Sequence, residues 1–309
     1  MKALLIPAAA ALVLTCGLLL EPLRALEPLV SRIVHTDPAK YRQSTAVHRG
    51  AGRLDYTGLL DFHSLDTNLY FLHRGVIQPK SGIGHHFHNT CEEMFVILDG
   101  EAQFTVDGRT SVLKGPAGAP VRMGHSHAIY NATDKPVQWM NINISAVKGE
   151  YDAHDLDDKR DDVALDRIPV FISMSLDRGL LRESSAWHGG KGAVQYRRAL
   201  GPAVFATPWT FVDHVVVPAG ASIGAHSYRG LAQFYYVMNG EGTISTATRG
   251  QQDSAPIRTG DAVPIQLSEV HSLENSGSQP LELMVVGVAR DMRKELTFVD
   301  GMGGPPGRR

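Results

Sequence analysis

The sequence predicts an all-β protein built from two related β-barrels in tandem, with few short helices. Three observations lead to this prediction: the length, an internal repeat, and short apolar runs separated by turn residues. At 309 residues the chain exceeds the usual size of one domain, and 43% hydrophobic residues suffice for a sizeable core. Two domains of related structure are therefore expected.

The internal repeat holds at a nearly constant offset. Residues 82–88 align with residues 222–228, and three pairs are 140 positions apart: His86 and His226, Glu93 and Gln233, Gly100 and Gly240. Two later pairs are 144 positions apart: His127 and His271, Asn131 and Asn275. A register kept over so many positions indicates duplication of one structural unit.

Each repeat contains short runs of β-forming residues, bounded by Gly, Asp and Asn turn signals. Four of these runs are residues 94–98, 139–144, 234–238 and 283–286. Strands that are short and regularly separated by turns favour a sandwich or a barrel.

The repeats and the composition between them predict the organisation of the chain. The predicted parts are a signal peptide or membrane anchor over 1–25, a first barrel over 45–148, a charged linker with a bridging strand over 149–192, a second barrel over 193–298 and a disordered tail over 299–309. The bridging strand is expected at Arg167–Met174 and could pair with either barrel.

The N-terminus has the features of an export signal. Lys2 is followed by an uncharged apolar run from Ala3 to Leu20, and a cleavage segment could end at Ala25. We expect cleavage and a periplasmic or extracellular protein, with a retained membrane span as the alternative, since the run is long enough. Lipidation at Cys16 is a third option, although the residues before it fit a lipoprotein signal poorly.

The charge pattern argues against nucleic acid as a partner. The 30 basic and 32 acidic side chains give a net charge of −2, and no Lys/Arg-rich block could neutralise a run of phosphates. Removal of residues 1–25 would leave Cys91 as the single cysteine, so the mature chain could not form an internal disulfide.

The first repeat contains a pattern of metal-ligating residues. His86 and His88 alternate with Phe87, so a strand would place both imidazoles on one face. Glu93 begins the next apolar run, and His127 follows a Gly/Pro-rich turn. Three imidazoles and one carboxylate suit a divalent first-row metal and leave coordination positions open for substrate.

These motifs resemble those of the cupin superfamily. The pattern His86-x-His88-x4-Glu93-x6-Gly100 resembles its first motif, and Gly124-x2-His127-x3-Asn131 resembles the end of its second. The likeness covers residues 69–144 and 211–288 and implies two jelly-roll barrels. It also implies that the four ligands of the first barrel bind iron, manganese, nickel, copper or zinc, and that a homodimer is possible.

The second repeat carries a degenerate version of the site. It keeps His226 and His271 but has Tyr228 and Gln233 at the positions of the other imidazole and the carboxylate. A glutamine supplies only a neutral oxygen, and a tyrosine must lose a proton near pH 10 to bind well. We expect this barrel to hold no metal and to serve as a packing or dimerisation module.

The resemblance implies several functions for the intact site. Bicupins with one intact site resemble quercetin- and gentisate-type dioxygenases, and those with two resemble oxalate decarboxylases, which the degenerate second site disfavours. We therefore predict a metal-dependent oxidoreductase, a dioxygenase acting on a small organic substrate. The alternatives are a non-redox isomerase or lyase of a sugar or hydroxy acid, and an exported binding protein without catalysis.

Several residues near the site receive specific predictions. Arg122 is predicted to hold a carboxylate or phenolate of the substrate, and Glu93 to serve also as a proton shuttle. His85 should face away from the ligands, His125 could approach the pocket, and Cys91 is expected to be a buried, inert thiol. Which of five pocket candidates face the metal is left open: Tyr70, Phe104, Arg122, Trp139 and Asn141.

Overall fold

The computed structural model describes residues 27–248 and 251–294, together with the backbone of residues 297–300. The predicted leader over residues 1–25, the candidate lipidation site Cys16 and residues 301–309 of the predicted tail lie outside the described residues. Within the described ranges, no helix is long and apolar enough to cross a bilayer.

The first barrel consists of two antiparallel sheets. In spatial order, its larger sheet contains β13 (Met174–Ser175), β9 (Ala117–Val121), β6 (Cys91–Ile97), β11 (Val137–Ser145), β4 (Leu69–Ile77), β3 (Arg53–Asp61) and β2 (Arg42–Thr45). Its smaller sheet contains β12 (His154–Asp158), β5 (Ser81–Phe87), β10 (Ser126–Asn131), β7 (Glu101–Val106) and β8 (Arg109–Lys114). The jelly-roll barrel that the family resemblance implies is confirmed.

The second barrel repeats this plan. Its larger sheet contains β1 (Val34–His35), β21 (Asp261–Ile265), β18 (Leu231–Asn239), β23 (Leu281–Ala289), β16 (Trp209–Val217), β15 (Ala193–Leu200) and β14 (Arg182–Ser185). Its smaller sheet contains β20 (Gln251–Arg258), β19 (Glu241–Thr248), β22 (Val270–Glu274), β17 (Ser222–Arg229) and β24 (Thr297–Asp300). Helical structure in the described residues is limited to α1 (Leu29–Arg32) and short 3-10 turns, which include Val47–Arg49 and Trp187–Gly189.

The two barrels exchange their first strands. β1 precedes the first barrel in sequence, yet Val34 pairs with Ala262 of the second barrel. β13 lies between the repeats, and Met174 pairs with Gly118 of the first barrel. The larger sheet of each barrel is thus completed by a strand that belongs to the sequence repeat of the other.

The segment predicted as a linker is more ordered than expected. Residues 149–192 contribute β12 to the first barrel, where His154 pairs with Phe87, and β14 to the second. Of the bridging strand predicted at Arg167–Met174, only Met174 lies in a strand. The charged composition hid these strands because they bind sheet edges through backbone hydrogen bonds, which require no apolar alternation.

The predicted domain and tail boundaries also shift. The repeat begins near residues 34 and 174, earlier than the predicted barrel starts at 45 and 193, because the exchanged strands are too short to show a pattern. At the other end, β24 extends to Asp300, into the predicted tail over 299–309.

The core divides into three parts according to strand parity. In β6, Phe95 and Ile97 point into the first barrel, whereas Met94 and Val96 join a cluster that also contains Phe234 and Tyr236 of the second. Because the larger sheets pack against each other, their strands are buried on both faces and appear in the sequence as continuous apolar runs. The second barrel therefore acts as a packing partner of the first.

A close backbone approach at Gly84 holds the turn Val47–Arg49 against the first barrel. A Cβ at Gly84 would lie 2.1 Å from the carbonyl oxygen of His48. Gly84→Ala should lower the free energy of unfolding by about 2–3 kcal/mol, because backbone must move. Chemical denaturation measures this. Gly58→Ala is the control, since its Cβ would meet nothing closer than 3.7 Å; equal losses in the two variants would contradict the prediction.

Candidate metal centre

The structure brings the four predicted metal ligands of the first barrel together. His86 lies on β5, His88 follows that strand directly, Glu93 lies on β6 and His127 on β10. Each of these side chains is at most 2% exposed. His86 and His127 are paired residues of adjacent strands, so the sheet register itself places their rings side by side.

The ligand atoms converge on one point. Nε2 of His127 lies 3.1 Å from Nε2 of His86 and 3.4 Å from Nε2 of His88. The Glu93 carboxylate approaches to 3.5 Å from His88 Nε2 and 3.8 Å from His127 Nε2. Ligand atoms that are each about 2.0–2.2 Å from a shared ion lie within about 4.4 Å of one another. These separations fit a single ion.

Hydrogen bonds to the outer ring nitrogens prepare the histidines to bind a cation. His86 Nδ1 donates to the carbonyl oxygen of Gly84 at 2.8 Å, and His88 Nδ1 donates to the carbonyl oxygen of Asp152. These bonds place the ring proton on Nδ1 and leave the Nε2 lone pair free. Burial also lowers the pKa of His86 and His127 well below the ordinary histidine value, so both are neutral. A divalent first-row metal fits this donor set.

Two asparagines of β11 hold the carboxylate in place. Asn141 Nδ2 donates to Glu93 Oε1 at 2.8 Å, and Asn143 Nδ2 donates to Glu93 Oε2 at 2.9 Å. Asn141 is one of the five pocket candidates of the sequence, whereas Asn143 was not predicted. The alternation Asn141-Ile142-Asn143 was the available signal, because buried amides at period 2 on a central strand need a polar partner.

A small cavity of about 90 Å³ adjoins the ligands. Among the residues that line it are His48, Tyr56, His73, Trp139 and Tyr151. The His48 ring stacks on His86 with centroids 3.7 Å apart. His48 therefore both lines the cavity and packs against a predicted metal ligand. Burial lowers the pKa of His73 to about 4, so that imidazole is neutral at pH 7.

Of the five pocket candidates, two line the cavity and three do not. Trp139 and Asn141 line the cavity, whereas Tyr70 stacks on Tyr151 at 5.0 Å and Phe104 belongs to the core of the first barrel. Arg122 is exposed, and its guanidinium donates to the carbonyl oxygens of Ala203 and Val204 at 2.6 Å.

Arg122 therefore contacts the second barrel and is not among the residues that line the cavity, so the geometry gives its predicted role in holding substrate no support. That contact joins segments about 80 residues apart, and no local pattern around Arg122 could have revealed it.

The remaining predicted neighbours lie outside the ligand set. His85 Nε2 contacts Ser126 Oγ at 2.8 Å, and His125 is exposed beside Asp107 rather than near the pocket. Cys91 is buried and accepts a hydrogen bond from Asn143 Nδ2 at 3.2 Å. Burial raises the pKa of its thiol to about 12, which makes it an unreactive neutral group.

The equivalent position in the second barrel is closed by hydrogen bonds. Gln233 Nε2 lies 2.7 Å from His271 Nε2, and the hydroxyl of Tyr235 lies 2.9 Å from the same atom. Burial raises the pKa of Tyr228 to about 12, so it is a neutral phenol at pH 7. Because the lone pair of His271 is engaged and no carboxylate is present among these groups, we expect this position to remain without metal.

Buried histidines of the second barrel should make folding sensitive to acid. Burial lowers the pKa of His226 to about 4, whereas an unfolded histidine titrates near 6.5. Between pH 6.5 and pH 4, His226 is therefore protonated in the unfolded chain but not in the folded chain. The free energy of unfolding falls as the pH drops towards 4, by about 3 kcal/mol for this group.

Denaturation of His226→Asn at pH 7 and pH 4.5 should show a smaller difference in unfolding free energy than the parent protein. His63→Asn, at an exposed position, should retain the parental difference. An unchanged pH dependence in His226→Asn would contradict the assignment.

Comparison with known proteins agrees with this architecture. The family model described as "Cupin domain" matches residues 73–143 and 213–287. The oxalate-binding protein of Thermotoga maritima is 30% identical over 102 residues, which are 33% of this chain and 81% of that protein.

Solved structures resemble the whole bicupin arrangement. A deletion mutant of Bacillus subtilis oxalate decarboxylase matches with a TM-score of 0.62 at 15% identity, over 87% of this chain and 79% of that one. The formate complex of Lactobacillus farciminis oxalate decarboxylase matches with a TM-score of 0.62 at 11% identity, over 87% and 88%. Another match, with a TM-score of 0.61 at 14% identity over 87% and 79%, is a Bacillus subtilis oxalate decarboxylase studied for its Mn(II) centres. At these identities the likeness concerns the fold.

Proposed function

The chain belongs to the cupin family, and we propose that it is a metal-dependent oxidoreductase that acts on a small, bidentate oxygen-donor acid at the first barrel. The observation that carries this proposal is the four-ligand cluster beside a small cavity of about 90 Å³. A cavity of about 150 Å³ is large enough to bind benzene, so the smaller volume beside the ligands suits a molecule of fewer heavy atoms. This volume favours a two- or three-carbon acid over the flavonols and aromatic acids of ring-cleaving dioxygenases.

Different residues of the first barrel would bind the metal, orient its carboxylate ligand and line the substrate cavity. His86, His88, Glu93 and His127 would hold the metal, which supplies a Lewis-acidic and redox-active centre for a chelating substrate. Asn141 and Asn143 orient Glu93. His73 lines the cavity as a neutral imidazole, because burial lowers its pKa to about 4, and the described lining residues include no lysine or arginine to compete with the metal for the acid.

A second candidate, binding without turnover, is favoured by the same cavity. Glu93 is the one carboxylate among the described lining residues, and both of its oxygens already accept from amides. The site therefore offers no free carboxylate as a general base. The name of the Thermotoga maritima relative, an oxalate-binding protein, supports this candidate as well.

Oxygen consumption separates the candidates. Protein loaded with Fe(II) or Mn(II) should consume dioxygen with at least one acid among oxalate, glycolate, lactate and pyruvate, and Glu93→Gln should lower the rate by about 10²-fold or more because it loses the anionic ligand. A flavonol serves as the oversized control.

Carbon dioxide release or isomerisation under anaerobic conditions would be turnover without oxygen. That result would indicate a redox-neutral lyase or isomerase instead of an oxidoreductase. Saturable binding with no turnover in either atmosphere would establish the binding protein. Retained activity in Glu93→Gln would place the chemistry elsewhere.

We also propose that the protein is exported and forms a homodimer, as the apolar residues 3–20 and the family resemblance led us to expect. Cell fractionation tests export, and light scattering of purified protein tests the assembly. Recovery in the cytoplasm with an intact N-terminus would refute the first proposal, and a monomeric mass would refute the second.

A further inference from the structure

The cavity beside the metal ligands carries two polar groups without protein partners. Asn141 is 6% exposed, Trp139 is 1% exposed, and both line the cavity. Among the described residues, no group hydrogen bonds to Asn141 Oδ1 or to Trp139 Nε1. A buried polar atom left unpaired costs about 1–3 kcal/mol, so a ligand in this cavity that pairs with both atoms would gain that free energy on binding.

The chemistry of these two atoms is fixed. Asn141 Nδ2 donates to Glu93 Oε1, and a carboxylate oxygen only accepts, so the orientation of the amide is set and Oδ1 is an acceptor. The indole Nε1–H of Trp139 is a donor only. A ligand that pairs with both atoms must therefore carry one hydrogen-bond donor, for Asn141 Oδ1, and one acceptor, for Trp139 Nε1–H.

The second barrel, whose metal ligands are incomplete, lacks polar residues at the positions that match Asn141 and Trp139. Asn141 pairs with Phe95 across β11 and β6, and Val285 pairs with Tyr235 at the matching place of the second barrel. By the same register, Leu283 takes the place of Trp139. Where the metal ligands are incomplete, both polar wall groups are thus replaced by aliphatic ones.

Resting on the proposed function, we infer that the substrate class of the first barrel is the small α-hydroxy carboxylates. The hydroxyl of such an acid donates to Asn141 Oδ1, and a carboxylate oxygen accepts from Trp139 Nε1–H. Its oxygens also chelate a metal, and two or three carbons suit a cavity of about 90 Å³. Oxalate dianion satisfies Trp139 but has no hydrogen to offer Asn141.

A matched ligand pair tests the hydroxyl. Calorimetry of the Zn(II)-loaded protein at pH 7.5 should show glycolate binding about tenfold or more tightly than methoxyacetate, in which a methyl group replaces the donated hydrogen, and more tightly than oxalate. In Asn141→Ala the preference for glycolate should shrink to about twofold or less.

Asn143→Ala is the matched variant, because Asn143 also donates to Glu93 but does not line the cavity. It should keep the glycolate preference at equal metal content. Equal affinities for glycolate and methoxyacetate in the parent protein, or the same loss of preference in both asparagine variants, would overturn the inference.

The indole proton gives an independent measurement. The chain has three tryptophans, and Trp209 Nε1 already donates to the carbonyl oxygen of Phe211 at 3.3 Å. In ¹⁵N-tryptophan-labelled, Zn(II)-loaded protein, glycolate should shift the indole resonance that disappears in Trp139→Phe and leave that of Trp209 in place.

Binding of glycolate without a shift of the Trp139 resonance would overturn the assignment of that contact while leaving the proposed function intact. If none of these acids binds the loaded protein, the proposed function itself fails, and the inference fails with it.

Discussion

Replacement of His127 by alanine will abolish metal binding by the protein. The imidazole contributes one of the four converging ligand atoms, 3.1 Å from that of His86, and His127 is only 1% exposed, so water cannot freely replace it. Loss of an orienting partner alone commonly costs 10- to 100-fold in metal affinity, and loss of a ligand should cost about 10²-fold or more. Elemental analysis of protein purified without added metal should fall from about one ion per chain to almost none.

His271→Ala is the matched control for this experiment. It removes the equivalent imidazole of the second barrel, where Gln233 and Tyr235 already occupy the Nε2 lone pair. Its metal content should equal that of the parent protein. Anomalous scattering should show an ion among His86, His88, Glu93 and His127 only. A loss of metal in His271→Ala, or an ion in the second barrel, would contradict the asymmetry of the two sites.

Replacement of Glu92 by alanine should cause the largest loss of stability outside the cores. This side chain of the first barrel is 1% exposed and accepts three hydrogen bonds from the second: from Ala206 N and Thr207 N at 2.8 Å and from Thr207 Oγ1 at 2.5 Å. Its removal leaves the backbone N–H and the hydroxyl of the buried Thr207 unpaired, at about 1–3 kcal/mol each. We expect the free energy of unfolding to fall by about 3–5 kcal/mol, measured by denaturation with urea.

Two further variants make the Glu92 result specific. Glu92→Gln keeps one acceptor oxygen and should lose less, about 1–2 kcal/mol. Glu183→Ala, at an exposed position, should change stability by less than about 0.5 kcal/mol. A loss in Glu92→Ala no larger than that in Glu183→Ala would show that this contact does not join the barrels.

The local pattern of the sequence was sufficient for the two repeats and for the geometry of the four ligands. Alternation along one strand fixed the common face of His86 and His88, and the constant offset between repeats identified Tyr228 and Gln233 as replacements within a retained barrel. These features depend on neighbours in sequence or on comparison of one repeat with the other. Both are visible in the sequence alone.

Tertiary structure decided what depends on contacts between distant segments. Arg122 turned from a predicted substrate contact into a bridge to the carbonyl oxygens of Ala203 and Val204, and the supposed linker supplied strands to both barrels. The volume of the cavity and its unpaired atoms likewise arise where β6, β11 and the turn Val47–Arg49 meet. The sequence therefore determined which residues could bind a metal. Packing determined the size and polarity of the molecule that fits beside the metal, because pocket shape is set by side chains that approach one another only in the folded chain.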